Sequence, residues 1–306
     1  MAFNTKNLNY AFNVEYYSIN DVNDANNSLL MIRTDAKDCY CNEDDSFELQ
    51  TCYPGLLVGI GNVHGSDRKE EIELGFSFDY VTGSPYIPGS SVKGLLRSAF
   101  AHEDDIHFAL GDENIDVEKL KNEIFEGRNG DADIPVPQRD VFYDSFPVTQ
   151  GRLMAKEAIT PHGDELTSPI PIALVKVRPN VIFKFSFGLH DGIITAEKKR
   201  ALFKTIIKDF GVGAKTNVGF GVFAEVDKNK PFVESKPASR PQPENKSFRN
   251  GQQRAQARSS SSNTVIKCVD CGKEYTLSDY EEKQKNEQNY TYTRCRSCRD
   301  KRKRNI

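Results

Sequence analysis

Thr195-Ala-Glu-Lys-Lys-Arg-Ala-Leu-Phe-Lys-Thr-Ile-Ile-Lys-Asp-Phe210 runs directly into Gly211-Val-Gly-Ala-Lys-Thr-Asn-Val-Gly-Phe-Gly221. Leu202, Phe203, Ile206, Ile207 and Phe210 fall three or four residues apart, so they predict one apolar stripe on a helix over Thr195–Phe210. Gly211 is the expected stop. Phe220–Val226 then reads as a closing strand. The order helix, glycine loop, strand excludes a nucleotide-binding P-loop, which needs strand, loop, helix and a glycine before its lysine. Here that residue is Ala214. Four glycines in eleven residues permit positive φ and close backbone approach. Lys215, Thr216 and Asn217 add a cation and donors. Two readings stay open: a loop that holds a phosphodiester backbone through its N–H groups, or a turn that only packs helix against sheet.

Upstream, Pro85-Tyr-Ile-Pro-Gly-Ser-Ser-Val-Lys-Gly-Leu-Leu-Arg97 predicts an extended run and then a helix over Ser90–His102, capped by Ser90 or Ser91. Free N–H groups at its start, with the two hydroxyls, Lys93 and Arg97, form an expected anion site. An ordinary capped helix with solvated cations is the alternative. Val117–Phe125 reads as another helix. Leu56–Ile60, Ile72–Tyr80 and Val141–Phe146 read as strands. Ile170–Val177 and Ile182–Leu189 read as strands of a hairpin broken at Arg178-Pro179-Asn180. Leu8–Ser18 reads as a strand or packed arm, and the polar residues 20–50 as loop. Strands mixed with two or three helices predict an α+β domain, and a ferredoxin-like (split βαβ) arrangement fits this order.

Residues 228–263 are rich in Pro, Ser, Gln and Arg and nearly lack aliphatics. They predict a flexible basic linker. It divides the chain into a large domain over 1–227 and a small module over 264–306. The large domain has 22 basic and 35 acidic residues; the linker has 8 and 2, and the module 11 and 7. An acidic body with a basic tail argues against nonspecific coating of nucleic acid and for local contact through loops.

The module carries Cys268-Val-Asp-Cys271 and, 23 residues later, Cys295-Arg-Ser-Cys298. Two C-x-x-C knuckles in a short, aliphatic-poor segment predict a four-cysteine structural Zn2+ site in a small zinc ribbon. Four thiolates close the coordination sphere, so this zinc would not be catalytic. The basic stretch Arg294–Ile306 offers contacts to phosphate. Cys39, Cys41 and Cys52 read as free or buried thiols. No run of about 18 apolar residues is present, so no membrane partner is expected, and the compartment reads as cytoplasmic. No catalytic constellation emerges. The five histidines show no metal-binding spacing, and no G-x-S-x-G elbow occurs. His162 in its loop and Asp144 at a strand end are weak candidates for acid–base work.

Read in order, Gly55-Leu-Leu-Val-Gly-Ile-Gly61, Gly75-Phe-Ser-Phe-Asp79, Thr82 through Arg97, Val141-Phe-Tyr-Asp-Ser-Phe-Pro147, Ile159-Thr-Pro-His162, Pro169-Ile-Pro-Ile172 and the glycine loop resemble the RAMP proteins of CRISPR systems. The combination is most similar to the sixth-subunit family of the Cmr complex, the type III-B RNA-guided effector. The resemblance covers about residues 50–227. It implies a ferredoxin-like (RRM-like) RAMP fold. It also implies a non-catalytic subunit on the 3′ side of the guide RNA, beside the backbone subunits and the first subunit, with target RNA cleaved elsewhere in the complex. Carried onto this chain, RNA contact falls to Gly211, Gly213, Lys215, Thr216, Asn217 and Gly219, and then to Ser90, Ser91, Lys93 and Arg97. The zinc module, its linker and residues 20–50 lie outside the resemblance. Two rivals follow: a metal-independent endoribonuclease that processes guide precursors, with His162 as base, and a zinc-ribbon adaptor for protein contacts.

Overall fold

The computed structural model describes residues 3–35, 45–61, 71–160, 171–234, 265–269 and 271–276. The chain forms two compact units, Met1–Ser239 and Arg240–Ile306.

The core of the first unit follows from strict alternation in one strand. Phe183, Phe185 and Phe187 are spaced by two, so all three fall on one face of a strand and are buried there. The main sheet contains β1 (Ser46–Thr51), β2 (Val141–Phe142), β3 (Phe146–Pro147), β6 (Ile182–Gly188) and β7 (Phe223–Ala224). Its order is β2-β6-β1-β7, with β3 also pairing β6, and every pairing is antiparallel. The register sets Leu49 opposite Phe183 and Phe47 opposite Phe185. Two helices belong to the same core: α1 (Gly89–Ala99), between β1 and β2, and α2 (Ala196–Phe210), between β6 and β7. From them Val92, Leu96, Leu202, Phe203, Ile206 and Ile207 are buried. Phe203 meets Phe187 at 5.3 Å and Phe142 at 5.7 Å between ring centroids. Each such buried side chain contributes about 1.5–3 kcal/mol relative to exposure.

Two longer strands, β4 (Met154–Ile159) and β5 (Ile172–Val177), make a separate antiparallel pair. The predicted hairpin is therefore corrected. β5 and β6 are consecutive but belong to different sheets. Pro179 has no N–H to give a ladder, and Asn180 takes φ +64. Arg178 N donates to Leu153 O (2.8 Å) and Asn180 N to Thr51 O (2.7 Å), so the connector is tied to the flank of one sheet and then to the other.

Three further readings change. Leu8–Ser18 is helical throughout, as segments Leu8–Tyr10, Ala11–Glu15 and Tyr16–Ser18, and it buries Leu8, Phe12 and Tyr16. The span read as loop holds most of β1 and also a helix, Val22–Met31, whose N-cap Asp21 accepts from Asp24 N (2.9 Å). Its inward face is only Ala25, Asn26 and Leu29, and a buried asparagine hides the stripe from a hydropathy reading. Tyr16 makes that asparagine tolerable: its hydroxyl donates to Asn26 Oδ1 (2.7 Å) and accepts from Ile72 N (3.0 Å). Residues 56–60 and 72–80 form isolated bridges, among them Leu56 to Val177, Ile72 to Ala173 and Phe78 to Pro85, rather than strands. Their alternation is interrupted by Gly59 and Gly75.

Lys199 of α2 is 2% exposed. Its ammonium donates to Asp140 Oδ2 (2.8 Å) and His190 O (2.8 Å) and lies 3.1 Å from Glu123 Oε1. Both carboxylates are buried too, and each also accepts a backbone N–H, from His190 and Ile193. Beyond residue 227 the chain stays on this unit. Phe232 packs on the core, and Glu234 binds Arg33 (2.7 Å) and Arg152 N (2.8 Å). The stretch 228–234, read as linker, thus continues the first unit, while the rest of the linker lies outside the described residues.

Candidate nucleic-acid interface

Gly211 ends α2 at φ +70, and its N–H donates to Ile207 O (3.1 Å). The loop then closes on itself, because Val212 N donates to Gly221 O (2.8 Å). Two more bonds dock it on the chain after β1: Ala214 N to Leu57 O and Gly221 N to Gly55 O, both 2.8 Å. These contacts explain the glycines. A Cβ on Gly221 would lie 1.9 Å from Val212 O, one on Gly213 2.3 Å from Leu57 O, and one on Gly211 2.9 Å from Gly221 O. Only glycine lets three backbone segments lie this close. Beneath the loop, Leu57, Leu174 and Phe220 form a small apolar cluster.

The tip is built differently. Lys215 adopts φ +60, and a 3-10 turn, Thr216–Val218, follows it. Lys215 O accepts from both Val218 N (3.1 Å) and Phe220 N (3.3 Å). Among the described residues, the N–H groups of Gly213, Lys215, Thr216 and Asn217 have no intramolecular acceptor. Gly213, Lys215 and Asn217 are exposed, and no carboxylate pairs with the Lys215 ammonium among the described residues. Unbonded backbone donors beside an unpaired cation form a place for an anion. Different parts of the loop are built differently. The glycines pack, and the tip between them offers the donors.

The start of α1 is less open than its sequence suggests. Ser90 and Ser91 are exposed but do not cap the helix. Pro88 is the N-cap residue, and Asp144 Oδ1 accepts from Gly89 N (2.7 Å). A carboxylate already holds the place expected for an external anion. The Tyr86 phenol is pushed up by burial and then by the charges of Asp144 and Asp79. Lys93 lies over the Phe142 ring at 5.7 Å, and Arg97 is forked onto Glu126 through Nε (2.9 Å) and Nη2 (2.8 Å). Sequence reasoning missed this role of Asp144, because 55 residues separate it from Gly89. The two expected contact regions also join the sheet at opposite ends of β6. Tyr143 N pairs at Ser186 O, and Thr51 N at Val181 O, five residues and about 16 Å apart along a strand. They are two places, not one cradle.

A third feature had no sequence signal. Between β1 and the loop-docking segment, Tyr53 is 82% exposed. Lys176 of β5 lies 5.8 Å from its ring centroid and 5.7 Å from that of Phe220. Lys176 is itself buried, bonded to Glu157 Oε2 at 2.6 Å, and this holds the Glu157 carboxyl below its ordinary range.

His162 lies outside the described residues. His102 packs its ring against Phe210, and His107 Nδ1 lies 3.0 Å from Asp112 O. Cys52 is half-buried, and burial pushes its thiol up. Cys39 and Cys41 lie outside the described residues.

In the second unit, Val265–Lys267 pairs antiparallel with Glu274–Thr276. Cys268 is buried and Cys271 exposed in the turn between them. Gly272 N donates to Cys268 O and Cys268 N to Lys273 O, both 2.9 Å, with Gly272 at φ +69. Among the described residues no group of three His, Cys, Asp or Glu side chains is placed to hold a metal. Cys295, Cys298 and the basic stretch Arg294–Ile306 lie outside them. No helix among the described residues is long and apolar enough to cross a membrane.

An antiparallel sheet with helices α1 and α2 inserted between its strands, and a glycine-rich loop clamped onto the body, define the class. The chain belongs to the RAMP superfamily, whose family model matches residues 48–224. Among named relatives, it is 28% identical over 173 residues to CRISPR system CMR subunit Cmr6 of Saccharolobus solfataricus, covering 55% of this chain and 53% of that one. It is 35% identical over 95 residues to CRISPR system Cmr subunit Cmr6 of Pyrococcus furiosus, covering 31% and 26%. The chain thus spans about half or less of the curated relatives it matches. Similar solved structures include a chain of the type III-B Cmr-beta complex bound to cognate target RNA (27% identity, TM-score 0.43, covering 60% of this chain and 58% of that one). Another is the crystal structure of Cmr6 from Pyrococcus furiosus (22% identity, TM-score 0.32, covering 59% and 97%).

Proposed function

We propose that this chain is a non-catalytic, RNA-binding and scaffolding subunit of a type III-B CRISPR effector. It holds guide RNA on its 3′ side and contacts the backbone subunits and the first subunit in the cytoplasm, where the complex meets target RNA. The observation that carries the reading is the tip of the glycine loop. It exposes donors at Gly213, Lys215, Thr216 and Asn217 in a chain of the RAMP superfamily. The order β2-β6-β1-β7 with helices α1 and α2 supports a ferredoxin-like core. Phosphate contact at the loop fits an acidic body, because only a local strip meets the strand. Ser90, Ser91 and Lys93 are a secondary contact, weakened by Asp144.

The test uses the full chain and a guide-length RNA. Lys215→Ala is expected to weaken binding uniformly across sequences and to lower the salt slope by about one. An unchanged affinity and slope would remove the loop from the interface. The rival, precursor processing, predicts that His162→Ala lengthens the bound RNA; our reading predicts unaltered guide length.

We also propose a structural Zn2+ in the second unit, held by Cys268, Cys271, Cys295 and Cys298. The donor set fits: the tight Cys268–Gly272 turn brings two soft sulfur ligands onto one hairpin end. The module has little apolar material to fold on its own. Elemental analysis is expected to find about one zinc per chain, and chelation should unfold residues 264–306 while leaving the RAMP unit folded. A metal-free chain with unchanged exchange protection in that module would refute this. The adaptor rival predicts that deletion of 264–306 blocks complex assembly.

A further inference from the structure

We propose that Tyr53 is a stacking platform for one unpaired nucleobase of the strand held at the glycine loop. The inference rests on the RNA reading above and adds a contact to the base, where the loop offers contacts only to phosphate.

An aromatic ring left 82% exposed gains almost nothing from burial, so it contributes little to the core. Yet its backbone is fixed. Cys52 N donates to Val222 O (2.9 Å) and Gly55 O accepts from Gly221 N (2.8 Å), so the turn that carries Tyr53 is bonded on both sides to the exit arm of the loop. Pro54 Cδ lies 3.4 Å from the Cβ position of Gly219, two residues beyond Asn217. The ring also has a cationic neighbour on the protein side. The Lys176 ammonium sits 5.8 Å from its centroid, and Glu157 fixes that ammonium at 2.6 Å. A cation on one side and solvent elsewhere leave a face of the ring open to stacking. Val218, 67% exposed on the same loop, extends the apolar surface.

The choice of ligand follows from the neighbours. The loop to which this turn is bonded offers, at its tip, four backbone donors and a cation to an anion. An aromatic face next to a phosphate site is the pairing that single-stranded nucleic acid presents, because each phosphate carries a base beside it. Stacking tolerates any sequence, since every base has a π-face. That suits a strand whose sequence changes from guide to guide.

The experiment measures binding of the full chain to single-stranded RNA carrying 2-aminopurine at one position at a time. Tyr53→Phe is expected to keep affinity and fluorescence quenching. Tyr53→Leu, which stays apolar but loses the ring, is expected to lose about tenfold in affinity and to abolish quenching at one position. Removing the base at that position should weaken the unmodified chain as much as Tyr53→Leu does, with no further loss when both are combined. Lys215→Ala separates the two claims. If Lys215→Ala weakens binding and Tyr53→Leu does not, the stacking proposal fails while the loop reading stands. If neither matters, both fail. If Tyr53→Leu leaves RNA affinity intact but releases a neighbouring subunit, Tyr53 is a protein contact and the proposal is overturned. Circular dichroism of Tyr53→Leu should match the parent, since the side chain is exposed.

Discussion

Gly221→Ala will destabilise the first unit by about 3 kcal/mol or more, and RNA binding will fall with it. The added methyl would lie 1.9 Å from Val212 O and 2.9 Å from Val212 C, both backbone atoms that no rotamer change can move. The residue also sits at φ +71, where a side chain is strained before any contact is counted. The loop must then open at its base, breaking the Val212 N to Gly221 O bond and undocking Gly221 N from Gly55 O. Gly130→Ala is the control. Its φ is +61, but nothing lies within 4 Å of its Cβ position. It should cost about 1 kcal/mol, from the backbone alone. Urea unfolding of the two variants compares them directly. Equal midpoints would mean that the close approach of the loop to Val212 is not what requires glycine.

Lys199→Met will cost a comparable amount, about 3–5 kcal/mol. The methionine fills the volume but leaves Asp140 and Glu123 as buried carboxylates with no cation between them. His190 O loses its donor as well. The penalty is that of stranding charge in a low-dielectric site rather than the net worth of the ion pairs. Adding Asp140→Asn and Glu123→Gln should therefore recover a large part of the loss. Those amides still accept from His190 N and Ile193 N but carry no charge. Thermal melts of the single and triple variants distinguish this from simple cavity formation, which the two extra changes would not repair.

The effects on function differ. Lys199 holds the start of α2 to the Asp140 and Glu123 segments, far along the helix from the glycine loop that follows Phe210. Its loss acts through global stability, so ligand affinity of the folded fraction should stay near that of the parent. Gly221 sits within the loop itself, so its loss acts on both. Lys215→Ala should do the reverse of Lys199→Met, with affinity lowered and stability nearly unchanged, because its side chain makes no ion pair among the described residues.

Local signals were legible wherever one element decided its own fate. The stripe Leu202, Phe203, Ile206 and Ile207 is buried as its spacing requires, and Thr195 and Gly211 bound the helix. The glycine-rich loop between that helix and a strand was readable too, and so was the mixed α+β composition. Tertiary partners decided the rest. Ile172–Val177 and Ile182–Gly188 are strands, but nothing in either says that each pairs with a more distant segment. The helix Val22–Met31 was invisible because its buried face includes an asparagine, whose cost is offset only when Tyr16 arrives to hydrogen-bond it. By sequence, Asp144 is a strand end with possible acid–base work. Its structural role is to accept from Gly89 N, a bond that exists only after β2 and α1 meet. Nothing in the sequence marks Tyr53, because an aromatic residue beside a strand is ordinarily core. Only the folded chain leaves it in solvent, on a turn whose Pro54 meets Gly219. Chain-local information was enough to set which segments are helices with a single apolar stripe, where the glycines cluster, and which cysteines stand in C-x-x-C spacing. These depend on neighbours a few residues away. Strand partners, the capping carboxylate and the exposed ring came from folding alone, because each rests on contacts between residues distant in the chain.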